Sequence, residues 1–253
     1  MSEIDKVEQV DQSRRQFIKV GAALAGLSIA PGVMLYDFSH GGALARAPEE
    51  AVTKKIRWGM LIDTNQCDSG CTDCVTACNT ENGLSGLTAE TDSQWIRKIE
   101  IKNELTGKAH SLPMMCQHCE DPPCVDVCPT GASFKREDGI VLVDMHTCIG
   151  CRYCVMACPY KARSFVHENL TDQNPEVPRG KGIVESCTLC VHRVDKGQNT
   201  ACADACSTAG HNAILFGDLN NPDSEIAKRV SKVATTQIRA DLGLNTGVRY
   251  QGI

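Results

Sequence analysis

Short alternating patterns of apolar and polar side chains predict small strands along the chain. Residues 95–102 alternate with a period of two and lead into the turn-rich segment 103–107, which predicts one arm of a hairpin. Asp138-Gly139 is a favoured hairpin turn, and the apolar run 140–144 follows it directly, which predicts a second hairpin. Other short apolar runs predict strands at 56–62, 163–167 and 213–216.

The helical patterns are short, and most of them contain cysteine. Cysteines separated by three residues, as at 74–78 and 154–158, recur along the chain. This spacing places both side chains on one face of a helical turn, so each such pair predicts a short helix. Residues 221–225 have Pro and Asp near a helix start, and the apolar spacing of 226–237 predicts a modest helix near the C-terminus.

Sixteen cysteines in four groups of four determine the candidate chemistry. The third group reads C-x2-C-x2-C-x3-C and is followed by Pro159, which is the run of bacterial ferredoxins. Sixteen thiolates suffice for four [4Fe-4S] clusters. Because aromatic residues are only 4% of the chain, we expect clusters to fill part of the interior. The groups are Cys67, Cys71, Cys74 and Cys78; Cys116, Cys119, Cys124 and Cys128; Cys148, Cys151, Cys154 and Cys158; and Cys187, Cys190, Cys202 and Cys206.

Other uses of these residues are weaker hypotheses. The fourth group alone would suit a zinc ribbon, and an exported protein would by default use its cysteines for disulfides, but the four groups together favour clusters. His118 and His192 lie two residues from a cysteine and could ligate iron as in Rieske centres. With sixteen thiols available, we expect them at the surface or beside the ligands. Three residues after Cys158 could tune a potential or meet a partner, but ordinary packing and solvation is expected for Tyr160, Lys161 and Arg163.

The N-terminus is similar to a twin-arginine export signal. Arg14-Arg15 is followed by Phe17 and Lys19 and then by a weakly apolar stretch at 20–35, a pattern of an export address rather than of the folded domain. We expect cleavage after Ala45 and a periplasmic protein that is exported folded, with its clusters already built. The alternatives are a chance Arg-Arg pair before an amphipathic helix, cleavage after Ala47, and an uncleaved anchor, although the stretch is shorter than the roughly 20 residues that span a bilayer.

Charge and hydropathy exclude some partners. The formal net charge is −5, and no basic patch of the kind that binds nucleic acid is present. No stretch after Leu35 is long and apolar enough to cross a membrane. Attachment to a membrane would therefore need another subunit.

The last cysteine group resembles that of a known family. Its C-x2-C-x11-C-x3-C spacing and the following stretch 216–224 are similar to four-cluster electron-transfer subunits, found beside molybdenum reductases, nitrite-reductase systems and polytopic quinone-binding subunits. The resemblance covers most of residues 56–253. Within the family, the chain looks most like the DsrO-type periplasmic subunit of the sulfite-reduction-associated DsrMKJOP membrane complex, because of its export signal, its first cysteine group and the absence of a C-terminal membrane helix.

The resemblance implies an α+β fold of two pseudo-symmetric halves, each like a bacterial ferredoxin with two [4Fe-4S] clusters, short strands, short helices and long cluster loops. The expected boundaries are a signal peptide at 1–45, a linker at 46–57, a first half at 58–108 and 180–218, a second half at 109–179, and a C-terminal helix and tail at 219–253.

The resemblance also implies how the cysteines are shared. In two-cluster ferredoxins the first three cysteines of a group hold one cluster and the fourth ligates the other. Groups two and three form one such pair, and groups one and four the other. Ligand set 1 is then Cys67, Cys71, Cys74 and Cys206; set 2 is Cys78, Cys187, Cys190 and Cys202; set 3 is Cys116, Cys119, Cys124 and Cys158; and set 4 is Cys128, Cys148, Cys151 and Cys154.

One spacing departs from the family pattern. Three residues separate Cys67 from Cys71, where the family usually has two. Gly70 could absorb the extra residue as a bulge, and we expect cluster 1 to have the least ordinary surroundings.

The expected function is electron transfer without a catalytic site. The resemblance implies a polytopic quinone-interacting membrane subunit as one neighbour and a periplasmic multihaem cytochrome c as the other. In the alternative, the second partner is a polysulfide, tetrathionate or dimethyl sulfoxide reductase of the molybdopterin class, or a cytochrome c nitrite reductase. An alternative of another class is a metal-storing or disulfide-stapled interaction module without a redox role.

Overall fold

The structure is a computed structural model that describes residues 51–84, 91–102, 104–105, 107, 109–171 and 173–253. Arg14, Arg15 and the expected cleavage site lie outside the described residues, as do residues 46–50 of the linker and part of the turn at 103–107. None of the helices in the described part of the chain has the length and apolarity that crossing a bilayer requires.

Nine short strands and six short helices make up the regular structure of the described residues. The strands are β1 (Trp58–Asp63), β2 (Arg97–Lys102), β3 (Ala109–Met114), β4 (Ser133–Lys135), β5 (Val141–Val143), β6 (Ser164–Phe165), β7 (Val184–Glu185), β8 (Ile214–Asp218) and β9 (Val248–Gln251). The helices are α1 (Asp73–Glu81), α2 (Pro123–Asp126), α3 (Tyr153–Ala157), α4 (Val191–Val194), α5 (Ala201–Thr208) and α6 (Glu225–Lys232), and a 3-10 turn spans Ala240–Leu242.

A three-stranded sheet joins distant parts of the chain. Its order is β8-β1-β9, with β1 antiparallel to β8 and parallel to β9. All six residues of β1 are buried, as expected for a central strand covered on both faces. Gly59 is required there, because a Cβ would lie 2.4 Å from the carbonyl oxygen of Gly247. The C-terminal segment therefore contributes a core strand in addition to the expected helix.

The predicted hairpins are present. β2 pairs antiparallel with β3, and β4 pairs antiparallel with β5 across the turn that contains Asp138-Gly139. Two further residue pairs join β6 to β7. Small sheets with short helices between them confirm the predicted α+β class.

The C-terminal helix is shorter than the apolar spacing predicted. Ser224 caps its first turn, where the Ser224 Oγ accepts a hydrogen bond from the Ala227 amide at 3.1 Å. The helix ends at Lys232 because Val233 is extended, and Thr236 then pairs with Tyr250 in β9. β-branched residues such as Val233 and Thr236 favour extended backbone over helix. The residues after Lys232, which the periodicity predicted to be helical, are therefore extended, and Thr236 pairs with the sheet.

Cysteines form much of the interior. The main buried cluster contains eight of them, from all four groups, packed with aliphatic side chains from β1, β3 and β9. A second, smaller cluster combines Cys124 and Cys154 with Val141 and Val184. The core is thus built around sulfur, in agreement with the low aromatic content.

A buried ion pair fixes the connector that precedes the fourth cysteine group. Arg179 and Glu185 are bonded through two contacts of 2.9 and 2.6 Å, and their side chains are only 4% and 7% exposed. A third nitrogen of Arg179 donates to the carbonyl oxygen of Gly83 at 2.6 Å. The guanidinium therefore links the connector, β7 and the end of α1.

We expect Arg179→Met to lower the free energy of unfolding by about 3–5 kcal/mol, because it leaves a buried carboxylate without its partner. Denaturant unfolding followed by far-ultraviolet circular dichroism measures this. Lys196→Met is the control, since Lys196 pairs with Glu176 while both side chains are more than half exposed, and such pairs contribute about 1 kcal/mol or less. Equal losses in the two variants would contradict the assignment.

Candidate iron-sulfur centres

The first and fourth cysteine groups meet through two packed helices. α1 carries Cys74 and Cys78, and α5 carries Cys202 and Cys206. Cys74 interacts electrostatically with Cys206, and Cys78 with Cys202. Since each pair is spaced by one helical turn, this matching means that the helices run antiparallel and offer sulfur at two levels.

Cysteines from loops lie beside each of the two pairs of helix cysteines. Cys67 adds to the charge around Cys74 and Cys206, whereas Cys187 and Cys190 surround Cys78. Burial, followed by the charge of Cys67, raises the pKa of the Cys74 thiol to about 11. The members of ligand sets 1 and 2 therefore lie together at the two levels.

The second and third groups exchange their cysteines in the same way. Burial, followed by the charges of Cys116, Cys124 and Cys158, raises the pKa of the Cys119 thiol to about 12. These four cysteines line one cavity of about 310 Å³, including its opening to solvent, beneath the prolines of α2. Ligand set 3 is thus assembled around a single space.

A neighbouring cavity of about 270 Å³ is lined by all four cysteines of ligand set 4: Cys128, Cys148, Cys151 and Cys154. Cys128 comes from group two and the other three from group three, so the fourth cysteine crosses to the partner group here as well. Cys151 is exposed. This cavity is the more superficial of the two.

A left-handed residue precedes the second cysteine of every group. Its φ is +84° at Gly70, +42° at His118, +68° at Gly150 and +53° at Leu189. Turns of this kind direct backbone N–H groups into a concavity that suits an anion such as an iron–sulfur cluster. Group one keeps this turn despite its extra residue, because Gly70 takes the left-handed position and its missing Cβ would touch nothing within 4 Å.

The fourth cysteine of each group accepts a hydrogen bond from the segment that follows. Backbone amides donate to Cys128 from Ser133 at 3.3 Å, to Cys158 from Ala162 at 3.5 Å, and to Cys206 from Ala213 at 3.2 Å. In group one a side chain does so, since Asn82 Nδ2 lies 3.5 Å from the Cys78 sulfur. Such bonds stabilise thiolates and tune the potential of a cluster.

The histidines are placed beside the ligands rather than in their place. His118 is buried, and its Nδ1 accepts a hydrogen bond from the Val141 amide at 3.0 Å. Burial, followed by the charge of Arg163, lowers the pKa of His118 to about 3, so the ring is neutral. His192 Nε2 lies 2.7 Å from Glu81 Oε1.

Tyr160 packs in the main buried cluster and Lys161 is solvated, as expected, but Arg163 departs from ordinary packing and solvation because it is a buried charge. Lys161 is exposed, but Tyr160 and Arg163 are 5% and 4% exposed. Burial, followed by the charges of Cys119 and Cys158, raises the pKa of Tyr160 to about 12. The position of Tyr160 and Arg163 close to Cys158 in the sequence indicated that they could lie near a cluster. The sequence did not predict that they are buried, because their burial depends on β6 and the neighbouring loops.

The four sets have a spatial order. Cys74 of set 1 interacts with Cys202 of set 2. Ser186, next to Cys187 of set 2, reaches Cys116 of set 3, and Cys124 of set 3 interacts with Cys154 of set 4. The order is therefore 1, 2, 3, 4: electrostatic interactions join set 1 to set 2 and set 3 to set 4, and Ser186 joins set 2 to set 3.

The residues present fit iron–sulfur clusters. All sixteen cysteines are free thiols, and each set offers four soft sulfur donors, the ligand complement of a [4Fe-4S] cluster. None of these sixteen cysteines is joined to another by a disulfide. When bound, the clusters supply one-electron chemistry.

Comparison with known proteins supports the same chemistry. Residues 108–218 match the family model described as a 4Fe-4S dicluster domain. The chain is 42% identical to the Hdr-like menaquinol oxidoreductase iron-sulfur subunit 1 of Archaeoglobus fulgidus, over 94% of this chain and 97% of the relative. It is 36% identical to a tetrathionate reductase subunit of Salmonella typhimurium, over 96% and 90%. It is 32% identical to the menaquinone reductase iron-sulfur cluster-binding subunit of Nitratidesulfovibrio vulgaris, over 78% and 89%. The cofactors of this chain are four [4Fe-4S] clusters.

We expect Gly150→Ala to abolish one cluster. Gly150 has a φ of +68°, and an added Cβ would lie 2.1 Å from the carbonyl oxygen of Gly182, so the loop that carries Cys148 and Cys151 would have to move. Iron and acid-labile sulfide analysis should fall from about sixteen to about twelve of each per chain.

The matched control is Gly131→Ala, at a φ of +69° with nothing within 4 Å of the added Cβ. It introduces only the left-handed strain of about 1–2 kcal/mol and should retain its iron. Full iron content in Gly150→Ala would show that the close approach to Gly182 does not shape this site.

Proposed function

The chain belongs to the family of four-cluster iron–sulfur electron-transfer subunits, and on that basis we propose that it transfers electrons between a membrane quinone-interacting subunit and a second redox subunit. Two of the relatives described above are named for menaquinol or menaquinone, which supports a quinone-linked neighbour. Their names identify iron–sulfur subunits, which supports a chain without a catalytic site of its own.

The observation that carries the proposal is the order of the ligand sets together with their exposure. The eight cysteines of sets 2 and 3, in the middle, are all buried. The end sets differ, since Cys67 and Cys71 of set 1 and Cys128 and Cys148 of set 4 are partly exposed, and Cys151 of set 4 is exposed. Buried middle sites with accessible ends are the arrangement that a molecule needs to conduct electrons across itself.

The surface at the set 4 end suits a protein partner. Ile149, Tyr153 and Met156 are 67%, 58% and 76% exposed and lie in the same loop and helix as Cys151. Apolar side chains gathered at an exposed redox site are typical of an interaction surface, where aromatic residues and Met are enriched. We assign one partner to this end and the other to the set 1 end.

The proposed ligands are the four sets that the family resemblance implies, and with them the fold consists of two ferredoxin-like halves. The helix pair α1 and α5 supports one half, and the paired cavities beside α2 and α3 support the other. In each half the fourth cysteine of one group lies with the first three of the other group.

The finer assignment is a DsrO-type subunit of a respiratory complex in sulfur metabolism, exported to the periplasm through the segment around Arg14-Arg15 and held at the membrane by its partners. The partners would be a polytopic quinone-interacting protein and a multihaem cytochrome c. The second candidate is the electron-transfer subunit of a molybdopterin reductase, favoured by the similarity to the tetrathionate reductase subunit.

The test is to interrupt the chain in the middle. In the purified complex, quinol should reduce the second redox subunit, and Cys190→Ala, which removes a ligand of set 2, should abolish that reduction while both partners remain bound. The end cluster on the quinol side should still be reduced, as seen in its paramagnetic resonance spectrum. Cys78→Ala should act in the same way.

Lys196→Met, an exposed change near the same group, should transfer electrons as the wild type does. Unaltered transfer in a variant that lacks cluster 2 would refute the proposal. The composition of the complex separates the two candidates, because a multihaem cytochrome c favours the DsrO-type assembly and a molybdopterin subunit favours the reductase.

A further inference from the structure

Arg163 is a buried cation that has no carboxylate partner among the described residues. It lies between Cys158 and β6, is 4% exposed, and none of its three guanidinium nitrogens makes a hydrogen bond of normal geometry with the described residues. The other well-buried arginines are neutralised: Arg179 by Glu185, and Arg136 by Asp138 and Asp195. An isolated buried charge is destabilising by several kcal/mol, so something must compensate for it.

The groups around Arg163 are sulfur atoms from two ligand sets. Cys124 and Cys116 belong to set 3, and Cys154 belongs to set 4; their charges, in that order, outweigh burial and raise the pKa of the guanidinium. Arg163 also lines the cavity that the four cysteines of set 3 enclose. The cation therefore stands where the two sets meet.

The carboxylates of the described residues do not compensate for this charge. Asp138, the acidic group that acts on the nearby His118, bonds to Arg136 at 2.7 Å. His118 itself is neutral. Among the described residues, the negative charge that acts on Arg163 comes from the cysteine sulfurs, and the clusters that these cysteines hold would add to it.

We propose that Arg163 is a positioning residue that serves clusters 3 and 4 together, raising the reduction potential of both. The inference rests on the ligand sets proposed above. A cluster with four thiolate ligands is anionic and gains one more negative charge on reduction, so a fixed cation nearby favours the reduced form. The guanidinium also offers five N–H donors in a planar fork, enough to donate to sulfur on both sides.

The effect of Arg163 on the two reduction potentials does not depend on pH, because an arginine stays protonated throughout the physiological range. Among the described arginines, sets 1 and 2 have no equivalent of Arg163, because those near α1 are paired with Glu81, Asp204 or Glu185. The cation that acts on set 1 is instead Lys98, which lies near Cys67 and Cys74.

The test is a redox titration of the isolated, cluster-loaded subunit, followed by paramagnetic resonance, for Arg163→Met and Arg163→Lys. In Arg163→Met two of the four potentials should become more negative by at least a tenfold change in the reduced-to-oxidised ratio, which is about 59 mV for a one-electron couple. In Arg163→Lys, which keeps the charge, both should stay near the wild-type values. Lys161→Met, the same change at an exposed site two residues away, should move none.

The proposal is overturned if Arg163→Met leaves all four potentials unchanged, if it moves only one, or if Arg163→Lys lowers the same two as far as Arg163→Met does. If Arg163→Met loses iron, Arg163→Gln replaces it as the neutral variant; if both lose iron, Arg163→Lys decides, since the proposal requires it to keep about sixteen iron atoms and wild-type potentials. No partner subunit takes part in the measurement, so failure of the proposed electron route would leave its outcome unaffected.

Discussion

The contact on which the structure depends is the packing of α1 against α5. Each helix carries two cysteines one turn apart, so a single antiparallel pair supplies sulfur to two sites at once. The central sheet makes this packing possible, because β1 before group one pairs with β8 after group four. The two ends of the cysteine-containing region are thereby joined, and the fourth cysteine of each group faces the first three of the other.

The buried thiols must lose their protons to hold iron. Burial raises the pKa of Cys74, Cys119, Cys124 and Cys202 to values of about 11 or 12, and binding of iron as thiolates releases these protons. Three features favour the resulting negative charge: left-handed turns that orient amide N–H groups, N–H donors to the fourth cysteines, and the buried cation of Arg163. The clusters and the polypeptide thus stabilise each other.

The hairpins and the cysteine groups could be predicted from the sequence, because both depend on residues that are close together in the chain. The hairpins at 95–114 and 133–143 follow from alternation and turn residues, and the cysteine groups follow from ligand spacing. Three features were not predictable, since they depend on contacts between distant segments. Strand β9 forms only because β1 is available to pair with it, the last helix ends at Lys232 because Thr236 pairs with Tyr250, and Arg163 is buried because loops from both groups enclose it.

The central claim is that paired groups exchange their fourth cysteines and arrange four clusters in one line, with buried sites in the middle. A cryo-electron microscopy map of the cluster-loaded complex tests it most directly, because it shows every cluster with its ligands and neighbours. The account predicts the order 1, 2, 3, 4, with Cys206 on the cluster of Cys67, Cys71 and Cys74, and Cys78 on that of Cys187, Cys190 and Cys202. Four clusters each held by a single cysteine group, or a different order, would contradict it.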